Sequence, residues 1–156
     1  MPIIKPLFLG ILAAFFSLVA ELTFSVFFQG SAQAYFFSQL SLMVVAAVVI
    51  EEVLKYVIVY KNASLLKGTK EILASSILIG AGFALTEISL DVYGQLNILK
   101  TSFFFLIGVL FVHVFTTTFS GYLLAKKQNI YFTTVRVLIV NILIHLFYNI
   151  AIIYLF

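Results

Sequence analysis

The residues of this chain that could do chemistry lie in the middle of apolar runs. Glu51-Glu52-Val53-Leu54-Lys55 sets two adjacent carboxylates one turn from an ammonium, and His145-Leu146-Phe147-Tyr148-Asn149 sets an imidazole one turn from an amide. Glu21, Glu87, Asp91, His113 and Arg136 complete the ionisable set inside the runs, with Asn141 as a second amide. Residues four apart share a helical face, which pairs Glu51 with Lys55, Phe83 with Glu87, His113 with Thr117 and His145 with Asn149. An apolar surround and a like-charged neighbour both make a carboxylate a better proton acceptor, so Glu51 or Glu52 reads as a general base, with Lys55 opposing the effect. His145 and Asn149 are donors suited to a substrate carbonyl or a developing oxyanion. The plainer alternatives are a Glu51–Lys55 ion pair that neutralises a buried lysine, and hydrogen bonding between helices by His113, His145 and Asn149.

The elements that must position these groups follow from composition. Of 156 residues, 63% are apolar and 10% charged, against ~45–50% and ~25% in a soluble domain, and the mean hydropathy is +1.20. So few charges cannot coat a water-soluble globule, and the chain reads as an integral membrane protein. Crossing a ~30 Å hydrocarbon layer takes about 20 apolar residues. Five such runs occur, at about 7–28, 35–60, 71–93, 102–125 and 132–156, joined by short connections. They are too long for barrel strands of about 10 residues. The expectation is an all-α, polytopic transmembrane bundle of about five spans, a single domain over 1–156 in the cell membrane. Lys5, Lys61, Lys67, Lys70, Lys126 and Lys127 fall on one side and Lys100 on the other, which by the positive-inside rule orients the chain N-in and C-out.

Composition also narrows the function. The net charge of +3 never gathers into a basic stripe, so nucleic-acid binding is not expected. With no cysteine there is neither a thiolate metal site nor a cysteine nucleophile. No P-loop, G-x-G-x-x-G, H-E-x-x-H or G-x-S-x-G motif is present, leaving nucleotide cofactors, zincin chemistry and serine elbows without support.

An ionisable group at the centre of a membrane costs about 2.5–3.5 kcal/mol on insertion scales, so each asks for a partner or a purpose. Counted from the cytoplasmic ends of their spans, Glu51, Glu52, His113, His145 and Glu87 come out roughly 12–25 Å deep. Four helices thus offer polar groups to one slab, as in a catalytic or ion-binding centre. Glu21 reaches a comparable depth. Asp91 is expected to face water, Arg136 to reach toward headgroups, and Thr116, Thr117, Thr118, Ser120 and Gly121 to let helices pack closely.

The order of these motifs resembles the PrsW family of intramembrane proteases, relatives of the CAAX prenyl protease and bacteriocin-processing superfamily. The resemblance rests on Glu51-Glu52-x-x-Lys55, Phe83-x-x-x-Glu87, a mid-span His113 followed eight residues later by Gly121, and His145-x-x-x-Asn149. It implies hydrolysis of peptide bonds in membrane-anchored proteins or peptides, with Glu51 as leading candidate base and Glu52 as helper or substitute. Glu87, His113, His145 and Asn149 would then position the water, the scissile carbonyl and its oxyanion. The resemblance leaves both a glutamate-type and a metal-dependent mechanism open. The spacing identifies no metal ligands, the reading leans toward metal-free catalysis, and zinc is the cofactor to consider. Two other functions fit the same residues: a non-catalytic membrane scaffold of that superfamily, and a small proton or cation transporter. Against the transporter stand the absence of an internal repeat and of mid-span prolines.

Overall fold

Hydrocarbon cannot satisfy backbone N–H and C=O groups, so long apolar stretches must close their hydrogen bonds internally, as helices do. The computed structural model describes residues 3–28, 35–37, 40–94, 103–126 and 130–155. These form five helices: α1 (Ile4–Phe28), α2 (Leu42–Ala63), α3 (Thr69–Gly94), α4 (Phe103–Ala125) and α5 (Ile130–Leu155). By length and composition α1, α3, α4 and α5 can each cross a membrane. α2 has the length, 22 residues or about 33 Å, but carries Glu51, Glu52 and Lys55 in its middle. The expected all-α bundle is what forms.

One boundary differs. The second run was expected to be helical from residue 35, yet α2 starts at Leu42. Ahead of it, β1 (Tyr35–Phe37) and β2 (Leu40–Ser41) pair antiparallel, Tyr35 opposite Ser41 and Phe37 opposite Leu40. A helix begun at Leu42 is already long enough to cross a ~30 Å hydrocarbon layer, and the aromatic residues before it favour extended backbone. Lys100 and Lys127, which enter the orientation argument, and the expected span ends at 102 and 156 lie outside the described residues.

The helices turn their polar residues inward. Phe111 is 66% exposed and His113 fully buried, and on α5 Phe147 is 74% exposed while His145 is buried. Positions two apart are about 200° apart around a helix, so one side chain of each pair meets lipid when the other meets the bundle axis. The interior accordingly holds Glu52, Lys55, His113, Thr116, Asn141 and His145.

α3 is the hub, packed most extensively on α4 and α1, while α2 touches α1, α3, α4 and α5. The α3–α4 approach depends on Gly80. A Cβ there would lie 2.7 Å from both the His113 carbonyl oxygen and Val114 Cα, and would strike Thr117 Oγ1. Thr117 turns its hydroxyl back on its own helix, donating to the His113 carbonyl at 2.7 Å. The expected packing role of this hydroxyl-rich stretch holds for Thr117. At the other end of the bundle Asn62 Nδ2 donates to Ser75 Oγ at 2.5 Å, tying α2 to α3 beside their short connection.

Candidate active site

Adjacent residues on a helix point about 100° apart, and the bundle gives the two carboxylates of α2 different surroundings. Glu52 turns inward and is fully buried. Its Oε1 accepts from Lys55 Nζ at 2.5 Å and His145 Nδ1 at 2.8 Å, with Thr116 Oγ1 at 3.5 Å. Glu51 turns toward a cavity of about 200 Å³ between α1, α2 and α3, lined among others by Ser17, Glu21, Phe83, Glu87 and Asp91. Its Oε2 is 3.7 Å from His145 Nδ1, beyond hydrogen-bond reach.

Lys55 therefore pairs with Glu52, not with Glu51 as the four-residue spacing predicted. Both i,i+3 and i,i+4 positions are neighbours on a helix, and the packing of α4 and α5 decides between them by placing two histidines on the Glu52 side. Lys55 Nζ also contacts His113 Nδ1 at 2.8 Å and Thr116 Oγ1 at 3.4 Å, and lies 4.9 Å from the centre of the Phe83 ring. A buried ammonium, a carboxylate and two imidazoles thus join α2, α4 and α5.

The Phe83–Glu87 face of α3 closes the group from the other side. The Phe83 ring is 4.8 Å from the His113 ring, centre to centre. One turn on, Glu87 Oε2 abuts His113 Nε2. The approach lacks the alignment of a hydrogen bond, and both atoms are buried without a hydrogen-bond partner among the described residues. The two histidine rings meet edge to face, 5.0 Å apart at 89°.

Five of the six expected site residues, Glu51, Glu52, Glu87, His113 and His145, come together here. Asn149 stands one turn beyond His145, half-buried, and no hydrogen bond among the described residues reaches it. The amide that joins the network is Asn141, one turn before His145. It is fully buried and donates from Nδ2 to the Thr116 carbonyl at 3.0 Å and to Ser120 Oγ at 2.9 Å. Thr116, expected to serve packing, contacts both Lys55 and Glu52. Glu21 and Asp91 share the cavity with Glu51 and Glu87, and Ser17 Oγ donates to Glu21 Oε1 at 2.6 Å. A carboxylate in an apolar run with a hydroxyl four residues before it was the available signal for Glu21.

Glu51, His113 and His145 each offer one ligand atom to a group whose members all lie within 4.8 Å of one another. Two imidazoles and a carboxylate are a donor set that suits a divalent ion such as zinc, and the orphaned Glu51 Oε2 gives that set an uncommitted oxygen.

Comparison with curated proteins and with solved structures gave no match. A family model described as PrsW family intramembrane metalloprotease matches residues 3–155. A match that runs through all five helices and every residue of the polar centre settles the family: this chain belongs to the PrsW family of intramembrane metalloproteases, and is a multi-pass integral membrane protease.

Proposed function

We propose that the chain is an endopeptidase in which Glu51 activates water against a peptide bond of a membrane-anchored protein or peptide. The observation that carries this reading is the difference between the two neighbouring carboxylates. Glu52 Oε1 is committed to Lys55 and His145; each carboxylate keeps its other oxygen without a hydrogen-bond partner among the described residues, but of the two it is Glu51 that lines the cavity. A base must reach the proton it takes, and a cavity is where water and substrate can come.

In this mechanism Glu51 takes a proton from water as the water oxygen attacks the scissile carbonyl carbon. The C–N bond then breaks, and Glu51 returns the proton to the leaving amine nitrogen. Glu87 and His113 flank the water from α3 and α4. Glu52 holds His145 through Nδ1, which leaves Nε2 of that ring as the nitrogen with the lone pair. Asn149, one turn along α5, binds the substrate backbone. Zinc, where bound, would be held by His145 and one oxygen of Glu51, leaving the other Glu51 oxygen to take the proton, and would supply positive charge that polarises the scissile carbonyl and makes water easier to deprotonate.

The test is cleavage of membrane-anchored peptides by the purified full chain in lipid nanodiscs, comparing wild type with Glu51→Gln. Cleavage by wild type that falls by roughly 10²–10⁴-fold in Glu51→Gln is expected for loss of a general base. Equal cleavage by the two proteins would refute the assignment.

A further inference from the structure

The two histidines stand 5.0 Å apart in one buried cluster, yet they meet different chemistry at the same ring position. Nδ1 of His145 faces Glu52 Oε1 at 2.8 Å. An ionised carboxylate only accepts hydrogen bonds, so His145 must carry its proton on Nδ1 and present a lone pair at Nε2. Nδ1 of His113 faces Lys55 Nζ at 2.8 Å. An ammonium only donates, so there the ring nitrogen must accept, and the proton of the neutral ring sits on Nε2.

The surroundings of Lys55 are consistent with that direction of donation. An ammonium has three N–H groups, and Nζ has three partners that can accept: Glu52 Oε1, His113 Nδ1 and Thr116 Oγ1. Its side chain is 1% exposed, which leaves it no recourse to solvent. On the far side of the His113 ring, Nε2 lies against a carboxylate oxygen of Glu87 without the alignment of a hydrogen bond, so an acceptor stands beside that nitrogen but is not yet engaged by it.

We propose that Lys55 is a positioning residue that fixes the tautomer of His113: by donating to Nδ1 it holds His113 as an Nε2–H donor beside Glu87, opposite to the tautomer in which Glu52 holds His145, whose Nε2 carries the lone pair. A ring so held is a hydrogen-bond donor to carboxylate, water or substrate oxygen and is not a metal ligand. A histidine that binds a metal through one nitrogen ordinarily donates from the other to a carboxylate or carbonyl. His145 has that arrangement with Glu52, and His113 has its reverse with Lys55. Of the two imidazoles that approach Glu51, His145 is then the one that serves a divalent ion. The catalytic consequence rests on the protease reading above, but the tautomers do not.

Nitrogen-15 NMR of the full chain in nanodiscs, labelled at histidine, tests this directly, because the sequence contains only two histidines. Proton-bearing and lone-pair ring nitrogens resonate in separate ranges, and couplings to the ring protons tell Nδ1 from Nε2. The expected wild-type spectrum has one ring protonated at Nε2 and one at Nδ1, with His145→Gln removing the second. Added zinc should shift Nε2 of His145 and leave Nε2 of His113 protonated. Lys55→Met should release His113 from its single tautomer and lower cleavage by roughly 10–100-fold, the usual scale for a lost supporting partner. Lys55→Arg, which keeps the donors, should retain the wild-type tautomers. A proton on Nδ1 of His113 in wild type, or a zinc-induced shift of His113 Nε2, would overturn the proposal. Both of those results come from the wild-type protein, so they stand even where a Lys55 variant fails to fold. Loss of cleavage in every sample with the two tautomers intact would count against the protease reading alone.

Discussion

Glu52 Oε1 stands 2.8 Å from Nδ1 of His145, a contact between residues 93 positions apart in the chain. It closes α5 onto α2 at the level where Lys55, also bonded to Glu52, reaches α4. Three helices therefore meet at one carboxylate oxygen, and its neighbour Glu51 is left facing the cavity.

This division predicts opposite phenotypes for adjacent residues. Glu52→Leu strands a buried ammonium and a buried imidazole N–H, and removing one partner of a buried ion pair costs about 3–5 kcal/mol. Thermal unfolding in detergent should show a large drop. Glu51→Gln removes no partner, so its melting temperature should stay near wild type while cleavage falls. Similar melting temperatures for the two variants would contradict the assignment.

The two amides of α5 should separate in the same way. Asn141→Leu leaves the Thr116 carbonyl and Ser120 Oγ without their donor, and a buried polar group left unpaired costs about 1–3 kcal/mol. Asn149→Ala breaks no hydrogen bond among the described residues. Its stability should be unchanged and its cleavage reduced, with KM raised more than kcat is lowered if it binds substrate backbone.

Gly80→Ala tests whether the α3–α4 approach sets the height of His113. The added methyl would meet the His113 carbonyl and Val114 Cα at 2.7 Å, so the helices must move apart. Overpacking of this kind costs about 1–3 kcal/mol, and a shift of His113 relative to Glu87 should cut cleavage further than the lost stability explains. Wild-type cleavage by a folded Gly80→Ala protein would show that the centre tolerates the displacement.

Metal removal should inactivate the enzyme. Dialysis against a chelator is expected to abolish cleavage and zinc to restore it. His145→Ala should weaken zinc binding by roughly 10–100-fold or more, the scale set by loss of even a supporting contact. Titration of zinc into the dialysed protein, read by isothermal calorimetry, checks this without relying on turnover. Full activity after exhaustive chelation would leave Glu51 to act without an ion.

Much of this molecule is legible from one dimension. Five apolar runs longer than 20 residues, broken by short polar segments, could only become helices in a membrane, and the cost of burying ionisable groups marked Glu51, Glu52, Glu87, His113 and His145 as a set. The helical period paired Phe83 with Glu87, and both do flank His113. The start of α2 was misplaced because apolarity alone does not distinguish residues 35–41 from the helix that follows.

Which groups actually meet was decided by packing. In a helix that is apolar nearly all round, periodicity carries no record of the inward face, so the sequence did not say which of Glu51 and Glu52 faces the site, and it matched Lys55 to the wrong one. It also offered no means of choosing Asn141 over Asn149, which lie on either side of His145 at the same spacing. The tertiary structure chose by the depth and rotation at which α4 and α5 seat against α2, and those depend on the Gly80 approach and on hydrogen bonds that span up to 93 residues. The sequence by itself determined that buried charges must find partners within this bundle; only the three-dimensional packing determined that Glu52 found three donors and Glu51 a cavity.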